Sequence, residues 1–293
     1  MKKTRYFLEA ILLYTLFFMF RMLPVDMASD LGGFLGRNIG SRLAASRKAR
    51  RHLRKAMPGF EPERQRQIIM EMWDNLGRVI AEYPHLEYIG RHRTTIAGED
   101  FLNEIYESET GAVFCGGHLG NWEVNATALL MQHGKEIDLT YRAPNNPWSD
   151  RLLMSARSLR GKLRTYPKSR EGGREILEAI KQHRYIGILI DQKYNEGVAV
   201  DFFGMEAMTN PIFVQLCQKY KCPLIPIRNI RTKGANFILE AHESLPLFDG
   251  DKPLPVEDVI QSAHLLLEDW IAKHPGQWLW LHRRWDSESL KSN

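Results

Sequence analysis

A histidine and a glutamate lie five residues apart in a glycine-rich stretch, and together they supply the groups that acid–base chemistry needs. Residues 113–123 read VFCGGHLGNWE, so a short apolar run ends in Gly116 and Gly117 before His118 and Glu123 follow. An imidazole can take a proton from a hydroxyl group, and a neighbouring carboxylate can fix its tautomer. The spacing predicts that His118 lies in a turn after a strand and that Glu123 lies in the first turn of the next helix, where it accepts the imidazole N–H.

Other roles for this histidine stay open on these residues alone, because a histidine near a strand end is often structural. The glycines Gly116, Gly117 and Gly120 favour a functional turn, since glycine permits positive φ and the close approach of a ligand. Cys115 is the nearest nucleophile, but an interior strand position predicts a packed thiol. We therefore expect His118 to activate a hydroxyl group of the substrate. The chain has no HExxH pattern, and we predict no metal site.

Short apolar runs alternate with helix-length stretches over residues 111–273, which predicts an α/β sheet with helices on both faces. Strands are expected at residues 112–115, 137–141, 185–190, 224–227 and 237–239, and helices at residues 121–132, 149–160, 173–183, 211–219 and 256–273. Ligands bind at strand ends in such sheets, so His118 falls at a suitable edge. Helical periodicity predicts one helix over residues 63–89, and the Trp-x-Trp alternation in residues 278–285 favours a strand with one buried face.

Composition narrows the class of protein. The chain has 293 residues, 44% hydrophobic and 26% charged, which is typical of a globular protein and argues against disorder. The net charge of +5 favours anionic partners. Three scattered cysteines without a CxxC pair argue against a disulfide framework or a cysteine zinc site, and favour a reducing compartment.

The N-terminal segment combines positive charge with an apolar run. Residues 6–23 have about the length that a bilayer requires if Glu9 and Arg21 reach its interfaces. No small-residue cleavage site follows Phe20, which disfavours a signal peptide, and a buried core helix is the alternative. We predict a membrane-anchoring helix over residues 1–24, either spanning the bilayer or lying in its interface.

A basic run follows this segment. Residues 37–55 hold eight lysines and arginines and no acid. Beside a membrane anchor, such a run is expected to lie on anionic lipid headgroups, a solvated helix face being the alternative. It has no recognisable nucleic-acid-binding motif, so we expect no nucleic-acid partner.

Five further motifs follow the His118 motif along the chain. They are Tyr141-Arg142 with Asn145-Asn146, Arg157-x3-Gly161, Asp191-Gln192, Asp201-Phe202-Phe203-Gly204 with Thr209, and Trp278-x-Trp280-x-His282-Arg283-Arg284-Trp285. Together with Gly117-His118-x4-Glu123, these motifs resemble the signature of the bacterial lipid A biosynthesis acyltransferases, the late lauroyl and myristoyl transferases. That family is related to mycobacterial phosphatidylinositol mannoside acyltransferases. The resemblance covers essentially the whole chain.

The resemblance implies a fold similar to glycerol-3-phosphate acyltransferases, with a sheet flanked by helices and an acyl-chain gorge. A single acyltransferase domain over residues 25–293 would follow the anchor, helical over residues 25–95 and α/β over residues 96–293. The implied reaction moves a fatty acyl group from an acyl carrier protein thioester to a hydroxyl of a lipid A precursor. It needs no cofactor and takes place on the cytoplasmic side of the cell inner membrane.

Three alternatives remain open. The acyl donor can be coenzyme A in place of the carrier protein, although the positive net charge suits an acidic carrier. The acceptor can be another glycolipid or a phospholipid. The alternative from a different class is a non-catalytic protein that binds membrane surfaces.

Within the implied reaction, His118 is expected to be the general base and Glu123 to orient it and balance its charge. Arg157 and Arg142 are the candidate donors to the tetrahedral oxyanion, together with N–H groups of the glycine-rich turn. A surface or phosphate-facing position is the alternative role for each arginine.

Five other residues are candidates for substrate binding. Asn121 belongs to the His118 motif. Asp191 and Gln192 follow a predicted strand and are expected to contact acceptor sugars or to cap the loop. Arg283 and Arg284, beside His282, are expected either to bind lipid A phosphates or to pair with buried acids.

Overall fold

The computed structural model describes residues 2–141, 145–159, 161–167 and 169–285. The described α-helices are α1 (Lys2–Met22), α2 (Val25–Leu35), α3 (Ala45–Ala56), α4 (Pro62–Glu82), α5 (Leu86–His92), α6 (Glu99–Ser108), α7 (Val124–His133), α8 (Pro147–Arg157), α9 (Arg170–Lys181), α10 (Ile212–Tyr220) and α11 (Val256–Lys273). The described strands are β1 (Thr94–Ala97), β2 (Ala112–Gly116), β3 (Ile137–Tyr141), β4 (Thr165–Pro167), β5 (Tyr185–Leu189), β6 (Val198–Phe202), β7 (Met205–Thr209), β8 (Leu224–Lys233), β9 (Asn236–Ala241), β10 (Phe248–Asp249) and β11 (Lys252–Pro253).

Seven of these strands form one sheet in the order β1-β9-β8-β2-β5-β3-β4. All neighbours are parallel except β8 and β9, which form an antiparallel pair. Strand β2 lies between β8 and β5, and all five of its residues are buried, as expected for a central parallel strand. The predicted α/β sheet flanked by helices is confirmed.

Helices cover both faces of the sheet, and β2 contributes to both cores. Val113 and Cys115 belong to one core, which also contains residues of α3, α4, α9, α10 and α11. Ala112 and Phe114 belong to the other core, with residues of α5, α6 and α7. Successive side chains of a strand point to opposite faces, so both cores meet at the strand that leads to His118.

The helix predicted over residues 63–89 is interrupted. Helix α4 ends at Glu82, a 3₁₀ turn spans Tyr83–His85, and α5 begins at Leu86. Pro84 lies in the turn, and a proline lacks the N–H that a continuing α-helix requires. The break redirects the chain, and the side chain of Tyr83 contacts the site described below.

The prediction of a strand in residues 278–285 is wrong. A 3₁₀ turn at Pro275–Gln277 precedes an irregular segment, in which Trp278 makes one isolated bridge with Leu119. Trp278, Trp280 and Trp285 are all buried, so the tryptophan pattern reflects burial on several sides and not one face of a strand. The β6–β7 and β10–β11 hairpins were not predicted.

In the part of the chain that the structure describes, no helix has both the length and the apolar character needed to cross a bilayer.

A buried ion pair joins the N-terminal helices to the sheet. The Glu82 carboxylate is fully buried and accepts two hydrogen bonds from the Arg231 guanidinium, with Nη2 to Oε2 at 3.0 Å. It also accepts from the Ser29 hydroxyl at 2.6 Å and from the Asn121 amide at 2.8 Å. Arg231 Nε donates to Asn75 at 2.9 Å. One carboxylate thus connects α2, α4, β8 and the loop after His118.

Glu82→Gln is expected to lower the free energy of unfolding by about 3 kcal/mol, because it leaves the buried Arg231 without its counter-ion. Urea denaturation at neutral pH measures the change. Glu63→Gln is the control, since Glu63 pairs with Arg66 on the surface and its loss should change the free energy by less than about 1 kcal/mol. Equal small effects of both substitutions would contradict the importance of the buried pair.

Candidate active site

The register of two neighbouring strands brings His118 and Asp191 together. Gly116, the last residue of β2, lies opposite Leu189, the last residue of β5. The Ile190 N–H extends this pairing by donating to the Gly116 carbonyl oxygen at 2.9 Å. His118 and Asp191 each lie two residues beyond these strand ends, so parallel pairing places them side by side at the carboxyl edge of the sheet.

Asp191 is a fully buried carboxylate that accepts three N–H bonds. One oxygen lies 2.7 Å from His118 Nδ1, and the other accepts the His118 backbone N–H at 2.7 Å and the Trp278 Nε1–H at 2.8 Å. Burial opposes ionisation of Asp191. The adjacent His118 imidazole and its hydrogen bonds outweigh that effect and hold the pKa of the carboxyl well below its ordinary value.

The other imidazole nitrogen faces a cavity. Because the Asp191 carboxylate accepts the proton on Nδ1, Nε2 of neutral His118 carries the lone pair that a general base needs. The Gln192 amide nitrogen lies 3.4 Å from this Nε2 and 3.3 Å from His282 Nε2. The two imidazole rings are 4.6 Å apart, centroid to centroid. Two imidazoles and an amide therefore converge on one point.

The prediction that Glu123 orients His118 is wrong, because Asp191 occupies that position. Glu123 instead forms a two-pronged ion pair with Arg157, both distances being 2.6 Å, and accepts hydrogen bonds from Tyr83 at 2.8 Å and Trp122 at 3.0 Å. Burial disfavours its charge, but Arg157 outweighs burial and lowers the pKa of Glu123. A buried carboxylate requires such a cation, and the nearest one comes from α8.

A cavity of about 440 Å³ lies beside His118. Its polar lining includes Tyr83, His118, Glu123, Arg157, Gln192 and His282. Its apolar lining comes from the sheet and from the core that contains residues of α5, α6 and α7. It includes Phe114, Ala126, Leu129, Ile137, Leu139 and Ile227. The cavity thus joins an acid–base centre to an apolar interior between α7 and the sheet, which suits a ligand that is part reactive and part hydrocarbon.

The glycines of the His118 loop allow close packing with the protein, contrary to the expectation that they leave room for a ligand. A Cβ on Gly117 would lie 2.7 Å from a Leu267 methyl group. Gly120 has φ of +59°, and a Cβ there would lie 2.2 Å from the Asn229 carbonyl oxygen. The loop is therefore held against α11 and β8, which fixes the backbone of His118.

Several predicted site residues lie outside the cavity. Asn121 is fully buried and donates to Glu82, so it fixes the loop. Arg284 is also fully buried, donating to the Met208 carbonyl oxygen at 2.9 Å and the Thr209 hydroxyl at 2.6 Å, and cannot bind a lipid phosphate from there. Arg283 is exposed. Arg142 lies outside the described residues.

The buried Arg284 side chain lies beside a second buried basic side chain, that of His264. His264 Nε2 lies 3.2 Å from an Arg284 nitrogen. Burial, followed by the charge of Arg284, lowers the pKa of His264 to about 3. Burial also lowers the pKa of Arg284 to about 10. This cluster packs the β6–β7 hairpin against the C-terminal segment behind the site.

Sequence reasoning missed Tyr83 as a site residue, and it left His282 between phosphate binding and pairing with a buried acid. Tyr83 continues the helical pattern of α4, so its sequence context carried no signal. His282 follows two buried tryptophans, and its proximity to His118 depends on the backbone bond from the Leu279 N–H to the His118 carbonyl oxygen at 3.1 Å. The expectation for Cys115 is confirmed, since the thiol is buried and burial raises its pKa to about 12.

Comparison with known proteins gives one family and several relatives. Residues 1–287 match the family described as bacterial lipid A biosynthesis acyltransferase. The chain is 24% identical over 278 residues to a lipid A biosynthesis lauroyltransferase of Escherichia coli, which covers 89% of this chain and 86% of that protein. It is also 24% identical over 200 residues to a phosphatidylinositol mannoside acyltransferase of Mycobacterium tuberculosis, covering 67% of this chain and 61% of that protein.

The buried His264 makes stability depend on pH. The unfolded histidine has a pKa near its ordinary value of 6.5, whereas the folded one stays neutral down to about pH 3. Between these pH values His264 binds a proton in the unfolded state and stays neutral in the folded state. Acidification therefore lowers the free energy of unfolding by about 1.4 kcal/mol per pH unit for this group. His264→Gln should therefore reduce the loss of unfolding free energy between about pH 7 and pH 5 by about 2 kcal/mol.

Urea denaturation at the two pH values measures this difference. His92→Gln, which changes an exposed histidine, is the control and should leave the pH dependence unchanged. An unchanged pH dependence in His264→Gln would show that His264 is not the buried base responsible.

Proposed function

The chain belongs to the bacterial lipid A biosynthesis acyltransferase family, and from this premise we propose that it transfers a fatty acyl group from an acyl carrier protein thioester to a hydroxyl of a lipid A precursor, with His118 as general base. The observation that carries the proposal is the Asp191–His118 pair, whose imidazole lines a cavity with an apolar inner wall. A fatty acyl thioester has the matching chemistry, a reactive carbonyl at the end of a hydrocarbon.

The first step is deprotonation of the acceptor. Nε2 of His118 takes the proton of the acceptor hydroxyl while its oxygen forms a bond to the thioester carbonyl carbon. Asp191 keeps the imidazole in the productive tautomer and stabilises the imidazolium that forms. When the tetrahedral intermediate collapses, the carbon–sulfur bond breaks and the thiolate leaves. His118 returns the proton to the thiolate, which closes the cycle without an acyl-enzyme.

The oxyanion of the intermediate needs hydrogen-bond donors close to the base. The Gln192 amide, 3.4 Å from His118 Nε2, is the best placed of the candidate side chains, and a single amide donor of this kind contributes about 3 kcal/mol in other acyl-transfer enzymes. Arg157 lines the same cavity, but its Nε and Nη2 atoms bind Glu123 and Tyr83. We assign Arg157 and Glu123 to shaping the cavity wall, and Gln192 to the oxyanion.

The similarity to phosphatidylinositol mannoside acyltransferases supports one alternative acceptor, another glycolipid. The chemistry at His118 is the same for any hydroxyl acceptor. Incubating the protein with an acyl carrier thioester and each acceptor in turn, followed by mass spectrometry, distinguishes them by which acceptor gains the mass of one acyl group. If no lipid acceptor gains an acyl group, the proposed function is wrong.

His118→Ala is expected to lower kcat by about 10³-fold, because it removes the general base, and Asp191→Asn by about 10²-fold or more, because it removes the negative charge that fixes the imidazole tautomer. Initial rates of product formation measure both. Asp249→Asn, at an exposed carboxylate, is the matched control and should retain full activity. An Asp191→Asn variant that keeps its activity while its fold is intact would contradict the assigned dyad.

We also propose that α1 lies against the cytoplasmic surface of the inner membrane. Large apolar side chains of this helix are exposed, among them Phe7, Leu8, Leu12 and Phe18, and such a continuous apolar surface is unusual for a protein face in water. The helix also packs on α8, where the Asn146 amide donates to the Tyr6 carbonyl oxygen at 2.8 Å and the Phe7 ring lies edge-on against Trp148. The acceptor, a lipid, would then reach the cavity from the membrane.

Leu8→Ser combined with Leu12→Ser should weaken binding to lipid vesicles about tenfold, since two exposed leucines no longer enter the apolar phase. Co-sedimentation with vesicles containing anionic lipid measures the binding. Leu265→Ser, at an equally exposed leucine on α11, is the control. Equal binding by all variants would place the membrane contact elsewhere.

A further inference from the structure

Helix α3 presents a continuous cationic face to solvent. Its exposed basic side chains are Arg47, Lys48, Arg50, Arg51 and Arg54. None of these five has a carboxylate within 4 Å among the residues that the structure describes, and the sequence has no acid between Asp30 and Glu61. Several other exposed arginines of the N-terminal helices do have such partners, as in the pairs of Arg5 with Glu9 and Arg66 with Glu63.

The other face of α3 is fixed to the protein. Leu53 is fully buried in the core that α3 shares with α4, α9, α10 and α11. The Ser46 hydroxyl accepts the Trp73 Nε1–H at 2.8 Å. His52 Nδ1 lies 3.1 Å from the Trp280 carbonyl oxygen, and its ring packs edge-on against Trp285. The cationic face is therefore held rigidly by groups of the C-terminal segment.

Helix α3 packs against the C-terminal segment that carries His282 into the proposed catalytic centre. The His52 ring contacts the Trp280 carbonyl oxygen two residues before His282, whose side chain lines the cavity 4.6 Å from the His118 ring. Arg283 follows His282 in the sequence, and its charge repels that of Lys48. Partial burial of Lys48, together with this repulsion, lowers the pKa of Lys48. Helix α3 thus lies beside the segment that lines the cavity at His282.

We propose that the exposed face of α3 is the docking surface for the acidic carrier protein that delivers the acyl chain. This inference rests on the proposed function, because it assigns the donor's binding site. An acidic helical protein complements a rigid row of cations, which speeds association and fixes orientation. Docking there brings the carrier's thioester arm to the rim of the cavity beside His282.

A soluble acidic partner suits this face better than a bilayer. An amphipathic helix that binds membranes inserts its apolar side into lipid, whereas the apolar side of α3 is buried in the protein. The exposed large apolar residues of the N-terminal region lie on α1, α2, α4 and α5, in the Gly36–Gly40 turn and at Leu43, and none lies on α3. The observations therefore favour two separate surfaces, α1 for lipid and α3 for the carrier protein. The sequence-based expectation was that the whole basic run lies on lipid headgroups.

The test compares the Arg47→Glu/Arg51→Glu double variant with wild type, using donors that do and do not carry the protein partner. With acyl carrier protein thioester, KM should rise about tenfold or more at low ionic strength, and the difference should shrink as salt is added. With acyl-pantetheine, which lacks the acidic protein, KM and kcat should stay within about twofold of wild type. Arg174→Glu/Lys219→Glu, at exposed cations of α9 and α10, is the matched control.

Direct binding separates this inference from the proposed function. The affinity of wild type and both double variants for the acidic carrier protein is measured by calorimetry without turnover, and only the α3 variant should lose affinity. Unchanged carrier affinity in the α3 variant, or equal loss with both donors, would overturn the docking surface. Loss of vesicle binding by the same variant, with carrier affinity intact, would assign α3 to the membrane. Failure of wild type to acylate any lipid would refute the proposed function instead.

Discussion

The buried negative charge of Asp191 is the constraint on which the rest of the site depends. A carboxylate with no exposed surface is stable only when hydrogen bonds and positive charge replace the water it has lost. The donors come from the His118 backbone, the His118 ring and Trp278. The same three bonds that make the charge tolerable therefore fix the imidazole, the end of β2 and the C-terminal segment relative to one another.

The loop after His118 is restrained from its other side by two more buried acids. Glu82 binds the Asn121 amide and Arg231, and Glu123 binds Arg157 and Tyr83. Each acid has a cation or an imidazole from a distant segment as its partner, so none of the three charges is left unpaired. The loop between β2 and α7 thus has almost no freedom to move, which is the preorganisation that general-base chemistry requires.

Local patterns predicted the parallel strands and the position of His118 at a strand end, because alternation of strands and helices is visible along the chain. They could not identify Asp191 as the partner of His118. That pairing depends on β5 lying beside β2, and strand order is set by packing between segments 73 residues apart. Glu123 was wrongly predicted to be the partner of His118 because it is near in sequence. Its actual partner, Arg157, lies 34 residues further along the chain. The tryptophans of residues 278–285 misled for a similar reason, since they are buried by three different neighbours.

The contribution of Trp278 to the Asp191 carboxylate also has a consequence for biosynthesis. Translation proceeds from the N-terminus, so β2, β5 and the loop carrying His118 are complete while the last helix is still being made. The third donor to Asp191 arrives only with residue 278 of 293. A nascent chain therefore holds an imidazole and a carboxylate without the bond that completes their environment. The Asp191–His118 pair therefore acquires its full set of hydrogen bonds only after the segment that carries Trp278 has folded onto the sheet.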